Sequence, residues 1–153
     1  MLALAMLAVA GCGGSSGGDG NASSSSTTAS VSKAEFIKDG DLACAKAGKK
    51  SETEFASFVR EKAIAEGQEP SEAQFAEVGE TILIPALEEQ RDAFRATGTP
   101  KEGAAEAEAL IDAVDKAIGK LEANPALAKS PPTLLAEAGK IARKYGFKVC
   151  GNR

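Results

Sequence analysis

The chain of 153 residues contains no histidine and no tryptophan, and its aromatic residues are limited to one tyrosine and six phenylalanines. The absence of histidine excludes Ser-His and Cys-His nucleophile pairs, histidine-ligated metals and histidine-ligated haem. The scarcity of aromatic side chains means that any core must consist mainly of aliphatic and alanine side chains. Composition alone therefore removes the commonest catalytic and metal-binding arrangements.

Nucleotide-binding and cation-binding patterns are also missing. The glycines of residues 13–18 precede neither a strand nor a Walker lysine. Asp39-Gly40-Asp41 matches part of a calcium loop but lacks the remaining ligands, so we interpret it as a solvated helix face. The 18 basic residues are interleaved with 22 acidic ones, for a net charge of −4. Nucleic acid is therefore not an expected partner, and no metal or other cofactor is expected.

Three blocks of different composition divide the chain. Residues 1–11 are almost wholly apolar, residues 13–30 are mainly Gly, Ser and Thr, and residues 31–153 are rich in Ala, Glu, Lys and Leu. Only the last block can bury a core, and it has the size of one small domain. We therefore predict a signal peptide at 1–11, a lipidated cysteine with a flexible tether at 12–31, and a helical domain at 32–153.

The amino terminus resembles a bacterial lipoprotein signal. The run "MLALAMLAVA" is too short to span a bilayer and is typical of the apolar part of a secretory signal. Val9, Ala10 and Gly11 before Cys12 resemble a lipobox, which implies diacylglycerol on the Cys12 sulfur and cleavage before it. The expected location is the extracytoplasmic face of the cell membrane, through the N-terminal lipid. The alternative is a frayed apolar end with a free cysteine.

The tract from Gly13 to Ser30 has no periodicity and little apolar surface, which predicts a flexible tether. The flexible-chain relation gives a root-mean-square reach of about 20–25 Å for such a tract. No charge precedes Asp19, although a secretory signal normally begins with Lys or Arg. We therefore expect either a start upstream of Met1 or a misassigned start.

Helix signals dominate the third block. Four capping boxes occur, at Ser32…Glu35, Ser51…Glu54, Ser71…Gln74 and Thr99…Glu102. We predict helices over Lys33–Ala47 ending at Gly48, from Glu52 to Gly67, from Ser71 to Thr97 with a kink at Pro85, from Pro100 to Asn124, and from Pro131-Pro132 to Gly146. Apolar residues recur at helical spacing in these segments and predict the core-facing sides, which include Phe55, Phe75, Leu83, Leu110, Val114 and Leu121. The predicted fold is all-α, a compact antiparallel bundle of about five helices with a kinked third helix.

Cys44 and Cys150 form an even pair once Cys12 carries lipid. An exported protein leaves the reducing cytosol, so we predict one disulfide between them. The bond would close a loop of about 100 residues and contribute up to about 4.7 kcal/mol by the chain-entropy relation. Two buried free thiols, or intermolecular bonds, are the alternatives.

The segments "SKAEFIKDGDLACAKA", "ILIPALEEQRDAF" and "KYGFKVCG" resemble a group of small helical lipoproteins from actinobacteria. These share a lipobox, a Ser/Gly tether and a helical domain with two cysteines. The resemblance implies this fold and location, and it implies no activity, because the group has no assigned one.

The remaining candidates for function are few. Pro85 should leave a backbone carbonyl unpaired, which could open a ligand pocket at Ile82, Pro85 and Ala86, or could only shape helix packing. Acidic pairs offer the sole catalytic option, and we interpret them as solvated helix faces; they are Glu77 with Glu80, Glu88 with Glu89, and Glu106 with Glu108. We therefore expect a non-enzymatic envelope module that binds an envelope protein or polymer, or alternatively a small solute.

Overall fold

The first helix, α1 (Lys33–Glu61), joins two predicted helices into one. The computed structural model describes residues 30–152. The amide of Glu35 donates to Ser32 Oγ, and Glu35 Oε2 accepts from the Ser32 amide at 2.9 Å, which confirms the first capping box. Ser51 does not cap a helix, because its hydroxyl donates to the Ala47 carbonyl at 2.9 Å inside α1.

The predicted helix end at Gly48 is therefore wrong. Gly48 lies buried inside α1, which packs along a later helix, α3 (Ile84–Thr97). A glycine in a helix interior costs about 0.5–1 kcal/mol relative to alanine. Burial of neighbouring residues such as Ala47 offsets that cost, so the helix continues to Glu61.

The predicted third helix contains three segments in one continuous run. They are α2 (Glu72–Val78), a turn of π-helix (Gly79–Leu83) and α3 (Ile84–Thr97). Ser71 and Gln74 form the predicted capping box, and Gly98 at φ 93° ends α3 as expected. The irregularity in this run is a π-turn, which ends two residues before Pro85: the amide of Ile84 donates to the Gly79 carbonyl, five residues back.

The fourth helix, α4 (Ala104–Ala123), begins four residues later than predicted. Thr99 does not cap it, because the N-cap is Gly103 and no side chain caps the helix. The Thr99 carbonyl instead accepts from the Val31 amide at 3.2 Å. The Val31 carbonyl in turn accepts from the Lys101 amide at 2.9 Å, and Gly103 starts the helix in the left-handed conformation at φ 71°. Val31 thus forms an isolated parallel β-bridge with Pro100, and the helix begins after it.

The last predicted helix is divided. A 3₁₀ segment (Pro125–Lys129) leads to α5 (Pro131–Leu134) and α6 (Ala136–Tyr145), and a 3₁₀ turn (Cys150–Asn152) follows. Gly146 at φ 120° ends α6 as predicted. Residues 30–152 form no strand, so the predicted all-α class is confirmed.

The core combines an aliphatic helix face with a cluster of aromatic rings. The predicted face of α4 is buried, with Leu110, Val114 and Leu121 at most 2% exposed. Four rings pack edge-to-face or stacked around α1, namely Phe36, Phe94, Tyr145 and Phe147. Within residues 30–152, no helix is both long enough and apolar enough to cross a bilayer.

Candidate functional site

The predicted disulfide between Cys44 and Cys150 is present, with the two Cα atoms 5.4 Å apart. Cys44 lies on α1 and is 1% exposed, and Gln90 Nε2 donates to its sulfur at 3.1 Å. The bond fastens the C-terminal tail to the first helix. Neither cysteine is therefore available as a nucleophile or a metal ligand.

Asp41 holds the same tail by a second route. Its carboxylate accepts the backbone amides of Lys148, Val149 and Cys150 at 2.9, 2.8 and 3.1 Å. Successive amides that converge on one anion form a nest. Gly40 is buried beside them, and a larger residue would not fit, because a Cβ there would lie 2.5 Å from the Phe147 ring. The interpretation of Asp39-Gly40-Asp41 as a solvated face is thus wrong for Gly40 and Asp41.

The three predicted pocket residues do not share one cavity. Ile82 and Ala86 are buried, at 6% and 3% exposed. Pro85 is exposed and lines neither of the two cavities that Ile82 and Ala86 border. A ligand pocket in this segment therefore stays a prediction, and Pro85 is not part of its lining.

An open apolar groove lies where α1 meets the π-turn and the start of α5. Two adjoining cavities of about 340 Å³ and 390 Å³ form it, and both are bordered by Ser51, Glu52, Leu83 and Pro131. The first cavity is walled by Phe55, Phe75, Val78 and Ile82, among others. The second is walled by Ala47, Ala86, Leu87 and Leu135, among others. Sequence patterning placed Phe55, Phe75 and Leu83 on core-facing sides, but all three are only half-buried.

Charged and polar groups on the groove are sparse. Lys129 borders the first cavity, Gln90 borders the second, and Glu52 borders both. A nearby ion cluster joins α1 to α3, where Glu89 accepts from Lys46 at 2.6 Å and from Lys50 at 3.0 Å. Hydrogen bonds from Lys46 and Lys50, with their charges, lower the pKa of Glu89 to about 2.

Most carboxylates of the acidic pairs considered for catalysis either form salt bridges or are exposed to solvent. Glu77 pairs with Lys62 at 2.7 Å, and Glu89 pairs with the two lysines of α1. Glu80, Glu106 and Glu108 are exposed. Among residues 30–152, no three His, Cys, Asp or Glu side chains are close enough to hold a metal ion.

The lipobox residues Val9, Ala10 and Gly11, together with Cys12, lie outside the residues that the structure describes. Neither a protein-family model, nor a curated protein, nor a solved structure matches this chain. The resemblance to actinobacterial lipoproteins, the lipid anchor and the membrane location therefore stay predictions.

Proposed function

We propose that this chain is a lipid-anchored protein of the outer face of the cell membrane, and that its helical domain is a non-enzymatic binding module. The observation that carries the proposal is the groove beside the π-turn. Phe75 and Leu83 both line its first cavity and stay only half-buried. π-Helical turns occur frequently at functional sites.

The carboxylates support a binding role over a hydrolytic one. A carboxylic acid that acts as a general acid needs a raised pKa, normally from an apolar pocket. The pKa of Glu89 is instead lowered by Lys46 and Lys50, and that of Glu35 is lowered by hydrogen bonds from Ser32. Both carboxylates therefore favour the ionised form, which stabilises helix contacts and caps.

Binding of a small solute is the second candidate, and the size of the groove favours it. Its two cavities, of about 340 Å³ and 390 Å³, fall within the range of about 300–1,000 Å³ that is usual for small-molecule sites. An envelope protein or polymer would have to cover more than the groove, because a stable protein interface uses about 20–30 residues on each side.

Photo-crosslinking in cells that make the full chain tests the binding role. Benzoylphenylalanine replaces Phe55, which borders the groove, and in a matched strain it replaces Ser57, which is exposed on the same helix. We expect an adduct from position 55 and none from position 57. Its mass separates a protein partner from a small solute. Equal yields at both positions would contradict the proposal.

Fractionation of the same cells tests the anchor. Wild-type protein should partition with the membrane, and Cys12→Ser should move to the soluble fraction because it cannot form the thioether. Ser15→Ala is the matched control in the same tract. Equal membrane association of Cys12→Ser and Ser15→Ala would refute lipid anchoring through Cys12.

A further inference from the structure

The two cavities of the groove adjoin and are lined mainly by apolar side chains. Both are bordered by Ser51, Glu52, Leu83 and Pro131. Along α1 this apolar path extends from Ala47 to Phe55, which corresponds to about 12 Å of helix at 1.5 Å per residue. A long alkyl chain exceeds this length when it is fully extended, but it is narrow and flexible and can bend to occupy both adjoining cavities.

The lysines on and near the path differ in whether they form ion pairs. Lys129 borders the Phe55 end and makes no ion pair with any residue from 30 to 152. Lys46 and Lys50, the nearby lysines of α1, are already held by Glu89. Lys129 is thus the one groove-lining cation, among the described residues, whose charge is open to an anionic group of a ligand.

Glu52 limits where that anionic group can lie. Its carboxylate borders both cavities and repels a second carboxylate, so an acidic head is disfavoured along the middle of the path. The Ser51 hydroxyl donates its proton to the Ala47 carbonyl, and the Gln90 amide, which donates to Cys44, carries no charge. An acidic head is therefore favoured at the Lys129 end, with the chain directed toward Ala47.

We propose that the groove binds one free long-chain fatty acid, with its alkyl chain along the apolar path and its carboxylate beside Lys129. This inference rests on the proposed binding function and assigns the ligand class for the same site. The contribution of Lys129 is a charge-assisted contact to the head, and the contribution of Phe55, Phe75 and Leu83 is removal of the alkyl chain from water.

The test uses the full chain with Cys12→Ser, so that no covalently attached acyl chain can occupy the groove. The probe is cis-parinaric acid, a fluorescent C18 fatty acid, at concentrations where it is monomeric. We expect its fluorescence to rise on binding and palmitate to displace it. Hexadecanol, which has the chain without the charge, should displace it about tenfold less well. No rise in fluorescence, or equal displacement by palmitate and hexadecanol, would overturn the proposal.

Two matched pairs of variants locate the site. Ser51 and Ser57 both lie on α1 and donate to the carbonyl four residues back, but only Ser51 borders the groove. Ser51→Phe should weaken parinarate binding at least tenfold, and Ser57→Phe should leave it unchanged. Lys129→Met should abolish the preference for palmitate over hexadecanol. Lys140, an exposed residue of α6, is the matched control, and Lys140→Met should keep the preference.

Circular dichroism establishes whether each variant folds. If Ser51→Phe does not fold, Leu83→Trp replaces it as the variant that fills the groove. Binding that survives a folded groove-filling variant would place the ligand elsewhere and overturn the proposal. The photo-crosslink at position 55 separates failure of the fatty-acid assignment from failure of the proposed binding function. A protein adduct there without parinarate binding would overturn the fatty-acid assignment and leave the binding module standing.

Discussion

Asp41 is the residue whose environment differs most from the expectation for an exposed helix position. Its carboxylate accepts three consecutive amides of the tail, and all three bonds join α1 to residues more than a hundred positions later. Nothing in the local sequence marks it, because Asp39 two residues earlier has the same charge and is exposed. Only the arrival of the tail distinguishes the two carboxylates.

Asp41→Ala should lower the free energy of unfolding by about 2–3 kcal/mol, since hydrogen bonds to charged groups are lost and amides of the tail are left unpaired. Asp39→Ala is the matched control and should change it by at most about 0.5 kcal/mol. Urea unfolding followed by circular dichroism measures both. Equal midpoints for the two variants would contradict the assigned role of Asp41.

Two helical glycines give a second test at the residue scale. A Cβ on Gly79 in the π-turn would overlap the backbone carbonyl of Pro125, whereas a Cβ on exposed Gly119 in α4 would meet no atom. Gly79→Ala should therefore destabilise by about 1–3 kcal/mol through overpacking. Gly119→Ala should stabilise by about 0.5–1 kcal/mol, because alanine is the better helix former. Thermal unfolding measures both, and a gain in melting temperature for Gly79→Ala would show that the π-turn is not packed against Pro125.

At the scale of elements, the four capping-box sequences adopt three different local structures. Ser32 and Ser71 cap helices, Ser51 lies inside one, and Thr99 precedes a segment that pairs with Val31. The motif offers hydrogen bonds for a helix start, but it forms only where the chain has left the preceding helix. At Ser51 the packing of α1 along α3 keeps the helix intact, so the local signal is overridden.

The ion cluster of Glu89 with Lys46 and Lys50 joins these two helices and should respond to pH. The pKa of Glu89 is lowered from its usual 4.5 to about 2, chiefly by the Lys46 and Lys50 hydrogen bonds. A carboxyl with a lowered folded-state pKa stabilises the fold above its unfolded pKa, and that stabilisation is lost as pH falls from about 4.5 toward about 2.

The stability advantage of wild type over Glu89→Gln should therefore be present at pH 7 and disappear near pH 2. Urea midpoints at successive pH values measure it, and NMR titration of the Glu89 carboxyl gives the pKa directly. Because the cluster is largely exposed, 1 M salt should reduce the advantage. Glu88→Gln is the matched control, because Glu88 lies beside Glu89 in α3 and makes no ion pair among residues 30–152.

At the scale of the whole molecule, the disulfide and Asp41 close the chain end onto its first helix. Cys44 and Cys150 are separated by 106 positions, and the tail between α6 and Cys150 inserts Phe147 into the aromatic cluster. The small, alanine-rich core gains from this constraint because bonds across long loops restrict the unfolded chain most.

The double variant Cys44→Ala/Cys150→Ala should lose about 2–5 kcal/mol of unfolding free energy. Urea unfolding of the variant, of reduced wild type and of oxidised wild type measures the loss. The variant and reduced wild type should agree closely, since both lack the same cross-link. A variant as stable as oxidised wild type would mean that the bond does not stabilise the fold.

Sequence by itself determined the helical class, the disulfide partners, the buried face of α4 and the glycine ends of α3 and α6. These features depend on short-range periodicity, on conformational preference at Gly98 and Gly146, and on the expectation that Cys12 carries lipid, which leaves two of the three cysteines as a pair. They are properties of neighbouring residues or of composition, and so they can be derived without knowledge of the fold.

Tertiary structure alone decided the continuity of α1, the role of Asp41, the exposure of Pro85 and the existence of the groove. Each depends on which distant segments meet: α1 with α3, the tail with Gly40, and Pro131 with Leu83. Apolar periodicity marks Phe55 and Leu83 as candidates for burial, but whether they are covered or left open is set by the shapes of the helices that pack around them. Local preference selects the elements, and long-range packing decides which of their apolar side chains stay open to solvent.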